Sequence, residues 1–350
     1  MKKTALGAIV ATPLVAALIL SGCSSTGGST ADSGKVQIVA STNVYGDIAK
    51  QVGGDDVEVT SLITSAAQDP HSYEASAQDR LAVSRADVVV ENGGGYDPFV
   101  DTLLEAGSTE GVAVINASEL SGLMPGHEGE EHDHEHEEST SSPAAEGTST
   151  EATDAESADA GDEHGAGDEH EGHDHIEGFN EHVWYSFSAM DAVAHELAHE
   201  LGEKDAANAE TYEKNYETFS AQLKELEASA AALKPQADGK GAAITEPVPL
   251  YLLEEIGLQN KTPDAFSEAI EEGTDVSPSV LQETLAIFSN HDVALLAYNE
   301  QTSGPETAEV EKAAKDAGIP VVSFTETMPE GDTYVSWMTA NIDAVSDVLQ

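Results

Sequence analysis

The chain has 350 residues, with 66 Asp or Glu against 14 Lys or Arg, so its formal charge is −52 with 13 His counted neutral, and it has one Cys. Such a polyanion repels nucleic acid and anionic lipid rather than binding them. A single cysteine excludes a disulfide framework and any multi-cysteine zinc site. The length allows one large or two medium domains, and an apolar fraction of 39% is enough for real cores.

Residues 1–22 read as a targeting segment. Lys2 and Lys3 form a positive start, and Ala5 to Leu20 is an apolar run too short for a membrane span. Leu20-Ser21-Gly22-Cys23 follows, a small-residue cleavage site directly before the only cysteine. This is the pattern of a bacterial lipoprotein signal, with Cys23 as the lipid carrier. Residues 23–35, rich in Ser, Thr and Gly, read as a flexible tether. The expected location is the outer face of the cytoplasmic membrane.

From Val36 onward short apolar runs alternate with helical stretches. Strands are predicted at Val36 to Ala40, Val57 to Ile63, Asp87 to Glu91 and Val112 to Ile115. Helices are predicted at Val44 to Val52, Ser76 to Ser84 and Tyr96 to Ala106, with Ala75, Leu81 and Ala82 as the inward residues of the second. Such alternation predicts a parallel sheet with helices on both faces.

Residues 127–177 are different in kind: 8 His, 19 Asp or Glu, no Lys or Arg, and only Ile176 as a large aliphatic. The composition cannot offset chain entropy by burial and predicts disorder. His132, His134, His136, His164, His170, His173 and His175 offer several imidazoles at once. They read as an auxiliary metal scavenger that protonation below about pH 6.5 weakens.

Beyond it, Ser188 to Leu201 is predicted helical. Asp205 to Leu233 reads as a longer helix of about 42 Å, with Asp205 as its N-cap and Pro235 past its end. Strands at Gly241 to Thr245, Val293 to Tyr298 and Pro320 to Phe324 then alternate with helices at Pro249 to Ile256, Pro278 to Ser289, Pro305 to Ala317 and Thr333 to Leu349. The expected architecture is α/β: two lobes, each a parallel sheet flanked by helices. Residues 36–204 form the first, with the acidic loop inside it. Residues 205–234 form one long interlobe helix, and 235–350 the second lobe. Ligands of such sheets sit at the carboxyl ends of strands, here in the cleft between lobes.

Four places after strands or in loops carry metal-ligand side chains: His71, in Asp69-Pro70-His71-Ser72-Tyr73-Glu74; His182, in Asn180-Glu181-His182-Val183-Trp184-Tyr185; Glu246; and Glu326. Two imidazoles and two carboxylates suit zinc as a tetrahedron, or manganese if the carboxylates bind bidentate. Glu300, also after a strand, rivals Glu326 as the fourth donor. Asn43 and Tyr45, after the first strand, are candidates to line the cleft.

These segments resemble the zinc/manganese solute-binding proteins of bacterial ABC importers (the cluster A-I class). Asp69 to Glu74 looks like the first-ligand motif and His182-Val183-Trp184 like the second. Glu246, followed by Tyr251 and Ile256-Gly257-Leu258, looks like the third. Phe324-Thr325-Glu326-Thr327-Met328-Pro329 looks like the fourth, where many members have Asp. Glu181 stands where the family usually has Pro. The resemblance runs from about Val36 to the C-terminus. It implies a monomer that captures Zn2+, alternatively Mn2+, and delivers it to an ABC permease with its ATPase. It also implies small hinge motion about a rigid interlobe helix. A metal-binding adhesin is an alternative outcome.

One further motif, His195-Glu196-Leu197-Ala198-His199, matches the HExxH signature of zinc metalloproteases, with Asp205 in the third-ligand place and Glu196 as base. Helical spacing puts Met190, Val193, Ala194, Leu197 and Leu201 on one face and both histidines on the opposite, wet one. The expectation is therefore a solvated amphipathic helix and no enzyme.

Overall fold

The computed structural model describes residues 34–107, 111–125, 176 and 178–350. The lipoprotein signal, Cys23 and nearly all of the His-rich tract, with its seven candidate imidazoles, lie outside the described residues.

The first lobe runs β1 (Val36–Thr42), α1 (Asn43–Gly53), β2 (Val57–Ile63), α2 (Ala77–Val83), β3 (Val88–Glu91), α3 (Pro98–Ala106), β4 (Ala113–Asn116) and α4 (Ala117–Leu120). Two helices follow, α5 (Phe187–Lys204) and α6 (Ala209–Ala231). The second lobe runs α7 (Lys234–Ala237), β5 (Gly241–Ile244), α8 (Leu250–Ile256), β6 (Gln259–Asn260), α9 (Asp264–Glu271), α10 (Pro278–Ser289), β7 (Leu295–Asn299), α11 (Pro305–Asp316), β8 (Val321–Phe324) and α12 (Tyr334–Leu349).

Each lobe holds a four-stranded parallel sheet, ordered β2-β1-β3-β4 and β6-β5-β7-β8. The orders have the same form. The chain steps outward from the first strand of each lobe, then crosses to its other side. That reversal falls between β1 and β3, and between β5 and β7, and opens a crevice at the carboxyl ends of those strands. β3 (Val-Val-Val-Glu) and β5 (Gly-Ala-Ala-Ile) are buried at every position, as strands covered by helices on both faces must be. Gly46 lets α1 lie close on β2, because a Cβ there would collide with the Ser61 hydroxyl.

α6 packs along α5 and α1 on one side and against α8 and α12 on the other. Its 23 residues span about 34 Å, shorter than the sequence suggests. Asp205 is the reason. Its amide donates to Leu201 O (2.8 Å) and closes α5, while its carboxylate accepts from Asn208 Nδ2 (2.7 Å) and Tyr212 Oη (3.0 Å). It therefore serves the turn between two helices and is not the N-cap of one. α2 corrects a second expectation. Leu81 is 48% exposed and Val83 is the fully buried residue, while Ala75 and Ala82 pack against the same core partly buried, as expected. The short strand β6 and the helix α9 were not anticipated; a two-residue strand carries no readable alternation.

The lobes are joined by hydrogen bonds as well as by α6. The Asn43 side chain donates to Met328 O (2.7 Å) and accepts from Met328 N (3.1 Å). Tyr334 N donates to Asp47 Oδ2 (2.8 Å), Tyr334 Oη to Trp184 O (2.6 Å), and Tyr185 Oη to Thr325 O (2.8 Å). Asn43 thus spans the cleft, whereas Tyr45 is fully buried and donates to Asn92 inside its own lobe. Replacing Asn43 with Ala removes both amide bonds to Met328. We expect it to lower the stability of the metal-free protein by about 1–3 kcal/mol, measured by urea denaturation; an unchanged midpoint would show that the clamp contributes nothing.

Candidate metal site

Side chains from both lobes converge where the two strand crevices face each other. His71 follows β2 in a turn held by Asp69, whose carboxylate accepts from His71 N (3.0 Å) and Ser72 Oγ (2.7 Å). The segment beyond is fixed by the Ser76–Asp79 capping box of α2 and by Tyr73 Oη donating to Asp79 (3.0 Å). A rigid loop after a strand end holds the imidazole without a helix under it.

His182 opens a short 3-10 turn, Val183–Tyr185. Asn180 sets its ring. The Asn180 amide nitrogen donates to Pro247 O (3.1 Å), so its oxygen is the acceptor, taking His182 N (3.2 Å) and His182 Nδ1 (2.8 Å). Nδ1 therefore carries the proton, and the Nε2 lone pair is the one presented. Tyr251 Oη donates to Asn180 O (2.7 Å) and ties this loop to the second lobe.

Glu246 and Glu326 are 3% and 6% exposed. Asn299, the last residue of β7, donates through one amide nitrogen to Glu326 Oε1 (2.7 Å) and to Glu246 Oε2. Gln301 Oε1 accepts the backbone amides of Glu326 (2.8 Å) and Thr327 (2.9 Å). Tyr96 Oη donates to Glu326 Oε2 (3.4 Å), and its ring meets both imidazoles, with centroids 4.9 Å from His71 and 5.7 Å from His182. Glu246 Oε1 is buried and takes no hydrogen bond.

His71, His182 and Glu326 each offer one donor atom, all within 4.8 Å of one another. Glu246 is not brought into this group; it only shares the Asn299 amide with Glu326. Glu300 is exposed and joins no such group. Two further carboxylates lie alongside: buried Glu181, and Glu271, whose Oε1 is 3.6 Å from His182 Nδ1. Glu181 was legible beforehand only as a departure from a motif. Glu271, which sits at the end of the unanticipated α9, was not legible. Asn180, Asn299, Gln301 and Tyr96 were also missed as supports, because amides and phenols that orient ligands have no distinctive spacing.

The electrostatics follow from burial. Burial pushes the Glu246 carboxyl up to about 8, with the nearby Glu326 charge adding to it. Burial pushes Glu326 up to about 7, against the Asn299 hydrogen bond that pulls it down. Burial, then Glu181, raises Glu271 well above the carboxylate range. Among the described residues no lysine or arginine pairs with Glu246, Glu271 or Glu326. The site therefore holds concentrated negative potential, which a bound cation would offset.

The HExxH residues lie elsewhere, on α5. Met190, Val193, Ala194, Leu197 and Leu201 are buried, while His195 and His199 are exposed, with His195 against the Tyr216 ring (5.1 Å). Glu196, His199 and Glu200 come within 4.8 Å of one another on this wet face. Asp205 is bonded to Asn208 and Tyr212 instead.

Residues 38–348 match the family described as zinc-uptake complex component A, periplasmic. The chain is 26% identical over 355 residues to the iron ABC transporter substrate-binding lipoprotein MtsA of Streptococcus pyogenes serotype M1, covering 95% of this chain and 94% of that protein. It is 25% identical over 356 residues to the manganese ABC transporter substrate-binding lipoprotein ScaA of Streptococcus gordonii, covering 96% of each. The solved structure of FpvC from Pseudomonas aeruginosa in complex with Mn2+ matches its fold, with a TM-score of 0.64 and 23% identity over 90% of this chain and 98% of that one. The chain belongs to the zinc-uptake component A family, whose members are solute-binding proteins of ABC importers and not enzymes.

The raised carboxyl values set a pH dependence. Below about pH 7 both Glu246 and Glu326 hold protons that a cation must displace, so affinity should fall as pH drops through 8 and then 7. Without metal the sign for stability is opposite. Folded-state values above the ordinary 4.5 mean that the folded protein binds these protons more tightly, so its stability declines as pH rises toward 8. Added cation should therefore raise Tm more at about pH 8.5 than at about pH 5.5. Calorimetry giving equal shifts would contradict this.

Proposed function

We propose that this member of the zinc-uptake component A family binds its cargo cation through His71, His182, Glu246 and Glu326. The protein is a metal-binding substrate-binding component of an ABC importer, and its function implies a permease and an ATPase as partners. The first lobe supplies the two imidazoles and the second the two carboxylates. The observation that carries this reading is the convergence of His71, His182 and Glu326 donors within 4.8 Å at the interlobe crevice, in a buried acidic environment with no lysine or arginine partner for Glu326 among the described residues.

The cargo we assign is Zn2+, supported by two imidazoles beside two carboxylates, a donor set that suits a tetrahedral zinc. Mn2+ is the second reading. The buried Glu246 Oε1, without a hydrogen bond, favours it because it leaves that carboxylate able to bind through both oxygens, as a harder, higher-coordinate ion requires. ScaA, which is named for manganese, is similar along its whole length. Competition between Zn2+ and Mn2+ on purified protein, followed by elemental analysis, decides between them.

Outside the described residues, we assign Cys23 as the lipid attachment point, supported by the lipoprotein names of MtsA and ScaA and by the small-residue site before it. The protein then works as a monomer on the outer face of the cytoplasmic membrane. The seven tract histidines serve as a weak collector beside the main site.

His71→Ala should weaken Zn2+ binding by about a hundredfold or more, the scale of about 3 kcal/mol for one lost ligand. Deleting 127–177 should weaken it far less. Calorimetry against a competing chelator measures both, and the reverse order would remove the interlobe site from the account.

A further inference from the structure

Two groups of donors meet at His71. One contains His182 and Glu326; the other contains Glu181 and Glu271, again with one donor atom from each residue within 4.8 Å of the others. Glu181 is 2% exposed, and the Glu271 side chain 10%. Glu271 Oε1 accepts no hydrogen bond among the described residues. His182 Nδ1 stands 3.6 Å away, with its proton on the 2.8 Å bond to Asn180. Glu271 is also the last residue of α9, where the carbonyl end of a helix favours positive charge. A buried carboxylate oxygen in this position is costly unless a cation or a donor reaches it.

Resting on the four-donor reading above, we propose that His71, Glu181 and Glu271 form a second cation position beside the first, through which the cargo passes. A neutral imidazole offers one lone pair to a metal, so the two positions compete for His71 and hold one ion in turn. Partial exposure marks the order. His71 and Glu271 are the partly exposed members, whereas His182 and Glu326 are buried. An entering cation meets the His71–Glu271 side first, exchanges Glu181 and Glu271 for His182, Glu246 and Glu326, and leaves by the reverse path. One imidazole and two carboxylates bind first-row divalent ions but hold zinc less firmly than a set with two imidazoles. That suits a position of passage.

The test uses the full chain carrying Glu246→Gln and Glu326→Gln, crystallised with Mn2+ and separately with Zn2+, and anomalous diffraction to locate the ion. The expected result is an ion between His71, Glu181 and Glu271. A centre without an ion overturns the second position and leaves the four-donor reading standing. An ion still seated between His71 and His182 overturns both. A solution measurement keeps the idea falsifiable if the double variant does not fold. In Glu271→Gln, stopped-flow association and dissociation rates for Zn2+ should both fall, each by about tenfold, with Kd moving less than either rate. A fall in association alone would reduce Glu271 to a steering charge. A weaker Kd with unchanged association would make it a support for His182. Either result overturns the proposal.

Discussion

Buried carboxylates facing one another without a countercharge are the constraint on which the rest of the structure depends. Glu246 and Glu326 come from different strands of one sheet, yet one amide group, that of Asn299, is donated to both. Neutral groups complete the cradle: Tyr96 toward Glu326, Gln301 beneath its backbone, and Asn180 behind His182. Neutral donors hold two carboxylates near each other but do not cancel their charge. Burial therefore drives both toward the protonated form, up to about 8 and about 7. The carboxylates are thus held together by amides and by their tendency to keep protons, which a bound cation would replace.

The same constraint explains the placement of the interlobe contacts. The segment carrying Glu326 is bonded to the first lobe on both sides of the ligand: Thr325 O accepts from Tyr185, and Met328 is clamped by Asn43. The segment carrying His182 is bonded to the second lobe in turn, through Asn180 to Pro247 and Tyr251 to Asn180 O. Each ligand loop is thus fixed by the lobe opposite its own. Opening the site by rotating whole lobes would break all of these bonds together and would bend α6, which packs against helices of both lobes. Local displacement of 325–328 breaks only three of them, those on Thr325 and Met328, and leaves α6 unbent. On the proposed ligand set, moving a segment such as 325–328 would open the site at lower cost than swinging a lobe.

The sequence was most legible where one local rule acts alone. Strand–helix alternation placed both sheets, and the spacing of Met190, Val193, Ala194, Leu197 and Leu201 put His195 and His199 on water. Of the four metal candidates the structure brings the donors of His71, His182 and Glu326 together, three residues that stand in loops after strands or between lobes. What stayed hidden depended on partners distant in the chain. Asn299 matters because Glu246 and Glu326 lie 53 and 27 residues from it. Asp205 looked like an N-cap until Asn208 and Tyr212 claimed its carboxylate. Leu81 fitted an inward face, but α2 has only seven residues and buries Val83 alone. Glu271 is one acid among 66 in the chain, and nothing in its neighbours distinguishes it from a solvated one.

That last point bears on how so acidic a chain achieves selectivity. A charge of −52 attracts every cation nonspecifically, so attraction by itself distinguishes nothing. An exposed acid such as Glu300 keeps its hydration, and Glu196 and Glu200 beside exposed His199 are only partly buried. The interlobe acids differ because burial has removed their water and fixed supports have removed their freedom. A hydrated ion must shed its shell to reach them, and only an ion that gains enough from imidazole nitrogen and carboxylate oxygen together compensates for that loss. On the proposed ligand set, selectivity for a transition-metal cation over the abundant alkali and alkaline-earth ions would come from desolvation joined to His71 and His182, while the surrounding negative charge raises the local supply of every cation alike.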